Sequence, residues 1–125
     1  VSEEWIGFQR ANLKDLVSSK RKEMESEVLT FGEKQIKLSE RTKNALSFKL
    51  SGSFNDTDTF IWKFMNGTYE VTYRELKEIR NSIDSYLQEC FDVEYRFSKL
   101  VDTTNKTNGL FNLNLNLNWP STVRC

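Results

Sequence analysis

The feature that most constrains the fold is an apolar stripe in the second half of the chain. Leu76, Ile79, Ile83, Tyr86, Cys90, Val93, Phe97 and Leu100 step alternately by three and four, a heptad spacing sustained for about three and a half repeats. Thr72 and Glu75 match the T-x-x-E capping box that opens a helix. The register ends after Val101, where a polar stretch containing Asn105, Asn108 and Gly109 begins. A helix of about 28 residues would be about 42 Å long. A compact domain of this size is only about 36 Å across. The mismatch predicts that part of the helix projects or packs on a neighbouring chain, giving a homo-oligomer or a docked complex. Leu87 and Val101 widen the stripe, which suits a helix lying on a globular core better than a bare two-helix seam. Phe91 and Tyr95 lie off the stripe, one turn apart and beside Leu87. These three residues are the candidates for a second apolar patch that binds a partner.

Upstream, Trp5, Phe8, Leu13, Leu16, Val17, Met24 and Val28 give the segment from Glu3 to about Val28 an amphipathic helical pattern. The basic cluster Lys20, Arg21, Lys22 is answered at once by Glu23, Glu25 and Glu27. Arg21 can therefore pair with Glu25 one turn on. Leu29 to Gly32 and Gln35 to Leu38 alternate around a glycine turn and predict a short hairpin, after which Ser39 caps a helix of about three turns. Ser51 to Thr59 reads as a loop. Phe60 to Met65 and Thr68 to Tyr73 flank Asn66-Gly67, the dipeptide that most favours a two-residue turn. In that register Phe64 faces Tyr69, Trp62 faces Val71, Phe60 faces Tyr73 and Lys63 faces Glu70, and Trp62 is buried under the hairpin. Phe111 to Trp119 alternates five large apolar residues with four asparagines and is expected to be a strand ended by Pro120. An isolated strand must find a sheet, so Phe111, Leu113, Leu115, Leu117 and Trp119 are expected to add to a partner's sheet. The predicted organisation is a helical and hairpin domain at 1–101, a linker at 102–109 and a strand tail at 110–125. The fold class is α+β, with long amphipathic helices around a β-hairpin and an added C-terminal β-strand.

The chemistry available to this chain is narrow. Its 125 residues include no histidine, which removes the usual general base and every histidine-containing metal site. Two cysteines cannot form a four-ligand zinc set or a disulfide framework. Cys90 falls on the apolar stripe and is expected to be buried, leaving Cys125 as the more reactive thiol. Asn55-Asp56-Thr57-Asp58 fails as a calcium loop, because Ile61 and Gly67 occupy the places that require Gly and Glu. The five glycines are scattered singly and build no phosphate loop. Lys plus Arg and Asp plus Glu are 18 each, so no net field attracts nucleic acid or an anionic membrane. No apolar run approaches the roughly 20 residues needed to cross a bilayer. These readings predict a non-enzymatic protein with no cofactor and no metal, and with neither nucleic acid nor membrane as partner.

Two segments carry a resemblance. "LKDLVSSKRKEMESEVLTFGEKQIKLSERTKNAL" is followed after the loop by "IWKFMNGTYEVTYRELKEIRNSIDSYLQECFDVEYRFSKL". The features are Trp62, a short polar turn, the Val71-Thr72 step into a helix through Leu76, and an aromatic-plus-acid segment at Phe91 and Glu94. In these, Leu13 to Leu100 resembles a domain of unknown function found in tail-fibre-associated and other virion proteins of tailed bacteriophages. Trp5 to Arg10 and the Asn/Leu tail lie outside it. The resemblance implies a virion location and a structural or adaptor protein of the tail or tail fibre, docked on other virion proteins. Its alternative is a tail-fibre assembly chaperone that does not stay in the particle. It brings no catalytic residues.

Overall fold

A computed structural model describes residues 3–103 and 117–124. In chain order its elements are α1 (Glu3–Met24), β1 (Val28–Phe31), β2 (Lys34–Lys37), α2 (Glu40–Leu50), β3 (Thr59–Phe64), β4 (Gly67–Thr72) and α3 (Tyr73–Thr103). Long helices and two antiparallel hairpins make this an α+β protein. The described residues group into two compact units. One holds 3–25, 88–103 and 117–120, and the other holds 26–87 and 121–124.

The helix starts follow their caps. Ser39 accepts the Thr42 N–H at 3.2 Å and opens α2. The Thr72 hydroxyl accepts the Glu75 N–H at 3.1 Å while the Glu75 carboxylate accepts the Thr72 N–H at 3.4 Å, so the capping box is reciprocal. Its 31 residues make α3 about 46 Å long. The stripe Leu76, Ile79, Ile83, Tyr86, Cys90, Val93 and Phe97 is buried. Its last step differs from expectation: Val101 is buried and Leu100 is 48% exposed. A straight helix drifts from a strict seven-residue repeat, so the inward face moves on by one residue. The stripe is core.

In the first unit Val17 of α1 packs with Phe97 and Val101 of α3, and Ile6, Leu13, Leu117 and Trp119 close around them. The α1 helix ends at Met24, four residues short of the expected limit. Val28 instead pairs with Lys37 in the first hairpin, and the Glu27 carbonyl accepts the Leu38 N–H at 3.0 Å.

In the second unit β1 pairs with β2 as Leu29 with Ile36 and Thr30 with Gln35. The β3–β4 hairpin exists, but its register is shifted by two from the one expected. Trp62 lies opposite Tyr69, Phe60 opposite Val71, and Phe64 opposite Gly67, with Met65 and Asn66 at the turn. A shift of two preserves the faces, so Phe60, Trp62, Phe64, Tyr69 and Val71 still share a side. In this register the Asn66 side chain is bonded to the first hairpin. Its amide nitrogen donates to the Glu33 carbonyl at 2.7 Å and its oxygen accepts the Gln35 N–H at 3.0 Å. The Met65 N–H adds a 2.7 Å bond to the Gln35 carbonyl. These three bonds fasten the turn to β2. Trp62 is half-buried, not enclosed as expected, while Phe64 and Val71 at the same face are buried. Tyr73 meets Phe60 and Phe54 ring to ring, and its hydroxyl donates to the Leu50 carbonyl at 2.8 Å.

The expected C-terminal strand is not present in the part of it that is described. Leu117 to Pro120 is irregular, and the Trp119 N–H turns back to the Leu117 carbonyl at 3.0 Å, a three-residue turn that extended backbone cannot make. Residues 111–116 lie outside the described residues. Sheet-like pairing comes after Pro120. The Thr30 N–H donates to Thr122 at 2.8 Å, and the Arg124 N–H donates to Thr30 at 2.7 Å, a parallel bridge at Val123 on the free edge of β1.

Candidate functional site

On α3, Phe91 follows the buried Cys90 and Tyr95 follows the half-buried Glu94, so both rings fall beside the inward stripe and not on it. Phe91 is 48% exposed and Tyr95 is 63% exposed. Lys99 lies over the Tyr95 ring, and Arg21 of α1 supports Phe91. Its guanidinium carbon lies 4.6 Å from the Phe91 ring centre, a cation–π distance. The same guanidinium donates to Glu25 at 2.6 Å and to Glu94. Burial disfavours the Arg21 charge, but the hydrogen bonds and charges of Glu25 and Glu94 outweigh it and hold its pKa above the usual arginine value. The rim carries both signs: Lys99 lies 5.5 Å from the Tyr95 ring centre and Arg96 donates to the Asp92 carbonyl, while the Asp92 carboxylate is bonded to Gln88 at 3.0 Å. A shallow groove runs between Arg21, Glu94 and the two rings. Further along, Lys14 of α1 reaches Asp102 of α3 at 2.6 Å, and this hydrogen bond holds the Asp102 carboxyl below the usual aspartate range.

The other expected partner-binding residues separate from this face. Leu87 is half-buried and belongs to the second unit. Leu117 and Trp119 pack on the Val17, Phe97 and Val101 cluster of their own chain. Phe111, Leu113 and Leu115 lie outside the described residues. Of the five that are described, Phe91 and Tyr95 are exposed.

Sequence reading missed a second groove, which lies wholly in the second unit. Ile36 and Lys37 of β2, Arg41 of α2, and Ile61, Trp62 and Lys63 of β3 line it, joined by Met65 at the turn. The signal was diffuse, because Lys37 and Lys63 stand 26 positions apart and Trp62 was assigned to the core. Among the described residues no three of His, Cys, Asp and Glu gather where a metal ion could be held. Nor is any described helix long and apolar enough to cross a membrane. Comparison with protein-family models, curated proteins and solved structures finds no match for this chain.

Proposed function

We propose that this chain is a structural or adaptor protein that works by docking on other protein chains through Phe91 and Tyr95. The observation that carries the reading is the exposed aromatic pair, one turn apart on a 31-residue helix, with Phe91 braced by Arg21 and Tyr95 by Lys99. Large aromatic side chains held rigid in advance lose little entropy on burial, which is what makes them anchors at interfaces. The rim of Arg21, Lys99, Glu94 and Asp92 favours a partner patch that is apolar at its centre and carries both charges at its edge. The resemblance of Leu13 to Leu100 to tail-fibre-associated virion domains makes the tail or tail fibre of a phage particle the assembly in question. Mass spectrometry of purified particles tests this context. An adaptor is found there in fixed proportion to the tail proteins. Absence from the particle, with the chain still needed for fibre assembly, would make it an assembly chaperone instead.

A further inference from the structure

Independently of the Phe91 face, we infer that the groove beside Trp62 is a site where an extended, acidic segment of a partner protein adds as a strand to the free edge of β3. The first observation is the ladder. Phe64 and Gly67 close the turn, so the alternation of an antiparallel pair sends the backbone N–H and C=O of Phe60, Trp62 and Phe64 toward β4. Those of Ile61 and Lys63 point away from it. Met65, of the same parity, uses its outward N–H on the Gln35 carbonyl. That bond and the Asn66 amide tie β2 to β3 at one point. Beyond this point the groove opens between Lys37 on one side and Ile61 to Lys63 on the other. It follows the edge of β3, because five successive residues from Ile61 to Met65 line it and these alternate between the two faces of the strand. An open edge with outward donors and acceptors is a template for an added strand.

The second observation is charge. Lys37, Arg41 and Lys63 line the groove and no carboxylate does. Among the described residues neither Arg41 nor Lys63 forms an ion pair, and the Lys37 ammonium is spent on the Ser26 carbonyl. Glu70, opposite Ile61 on β4, is the closest carboxylate in the ladder and lies outside the groove. Apolar surface accompanies the charge. Ile61 is 70% exposed, Met65 is 63% exposed, and Trp62 is half-buried. A strand with Asp or Glu at alternate positions and apolar residues between them satisfies all three: edge amides, cations and apolar floor. Single-stranded nucleic acid fits less well, since it cannot use the edge N–H and C=O groups and finds one Trp for stacking in a chain of zero net charge.

The test is fluorescence anisotropy with the full chain and a labelled, end-blocked peptide of alternating Val and Glu. Its comparators are the Val/Lys peptide, the Val/Glu peptide N-methylated at alternate amides, and labelled oligo-dT. The Val/Glu peptide should bind and the Val/Lys peptide should not. N-methylation should abolish binding, because it removes the ladder donors. Arg41→Glu with Lys63→Glu should weaken binding by about tenfold or more, the scale of a lost charge-assisted contact. Both side chains are exposed, so the melting curve should not move; if it does, Arg41→Gln with Lys63→Gln replaces the pair. Absence of Val/Glu binding overturns the inference, as does equal binding of Val/Lys or preference for oligo-dT. Indifference to N-methylation would mean that charge alone holds the peptide, and the strand addition would be wrong.

Discussion

The Arg21 guanidinium lies 4.6 Å from the centre of the Phe91 ring and is fixed there by Glu25 on its own helix and Glu94 on α3. One side chain thus links α1 to α3 and holds an aromatic ring that is half open to solvent. Arg21→Met keeps the bulk of the stem but leaves Glu94 without its partner, and should cost about 1 to 3 kcal/mol. Arg21→Lys should not restore the loss, because an ammonium cannot bond two carboxylates in a planar fork and lie on a ring at once. Chemical denaturation of the two variants checks this. Stability unchanged in Arg21→Met would mean that the ion pairs are solvated and carry nothing.

Asp102 gives a pH dependence with a definite sign. Its carboxyl is depressed in the folded chain, first by the hydrogen bond from Lys14 and also by the charges of Lys14, Arg10 and Lys99, with partial burial opposing them. A depressed carboxyl contributes stability that is present above the unfolded aspartate value and lost as pH falls through the folded value. The Lys14–Asp102 clip should therefore fail only in acid, below the ordinary aspartate range near 3.9. Carboxyl carbon-13 titration should show Asp102 with a low midpoint, and Lys14→Gln should bring it back up. An ordinary midpoint in the unaltered protein would contradict the clip.

Asn66 ties the β3–β4 turn to the first hairpin through its bonds to Glu33 and Gln35. Asn66→Ala removes both, and because these bonds are exposed to water a loss of about 0.5 to 1.5 kcal/mol is expected. Cross-strand nuclear Overhauser effects should still join Trp62 to Tyr69 if side-chain packing also holds the register. Contacts of Trp62 to Val71 would show that Asn66 alone shifts it by two.

What was legible in the sequence is what depends on neighbours in the chain. The Ser39 and Thr72 caps, the first hairpin, the length of α3 and the burial of Cys90 all follow from spacing and local donors. Other features depend on distant partners. The β3–β4 register was not legible in the sequence, since the Asn66 bonds that accompany it reach residues more than 30 positions away. Trp62 was placed in the core because its strand face was right but the extent of cover over that face has no sequence signature. The Asn/Leu alternation at Leu117 to Trp119 signals a strand, yet both apolar residues are claimed by Val17, Phe97 and Val101. That Phe91 and Tyr95 lie off the buried stripe was legible, because departure from a heptad is visible by counting. The basic groove was not, because Lys37, Arg41 and Lys63 meet only when two hairpins and α2 are folded.

Phe91 and Tyr95, on the proposed reading, are the surface by which the chain joins its assembly. The most direct measurement is the amount of chain carried into purified particles by the unaltered protein and by Phe91→Ala with Tyr95→Ala. Both rings are largely outside the core, so the variant should melt within a few degrees of the parent. Loss of two aromatic anchors should lower its incorporation by about tenfold or more. A variant that folds and is incorporated as fully as the parent would contradict the account.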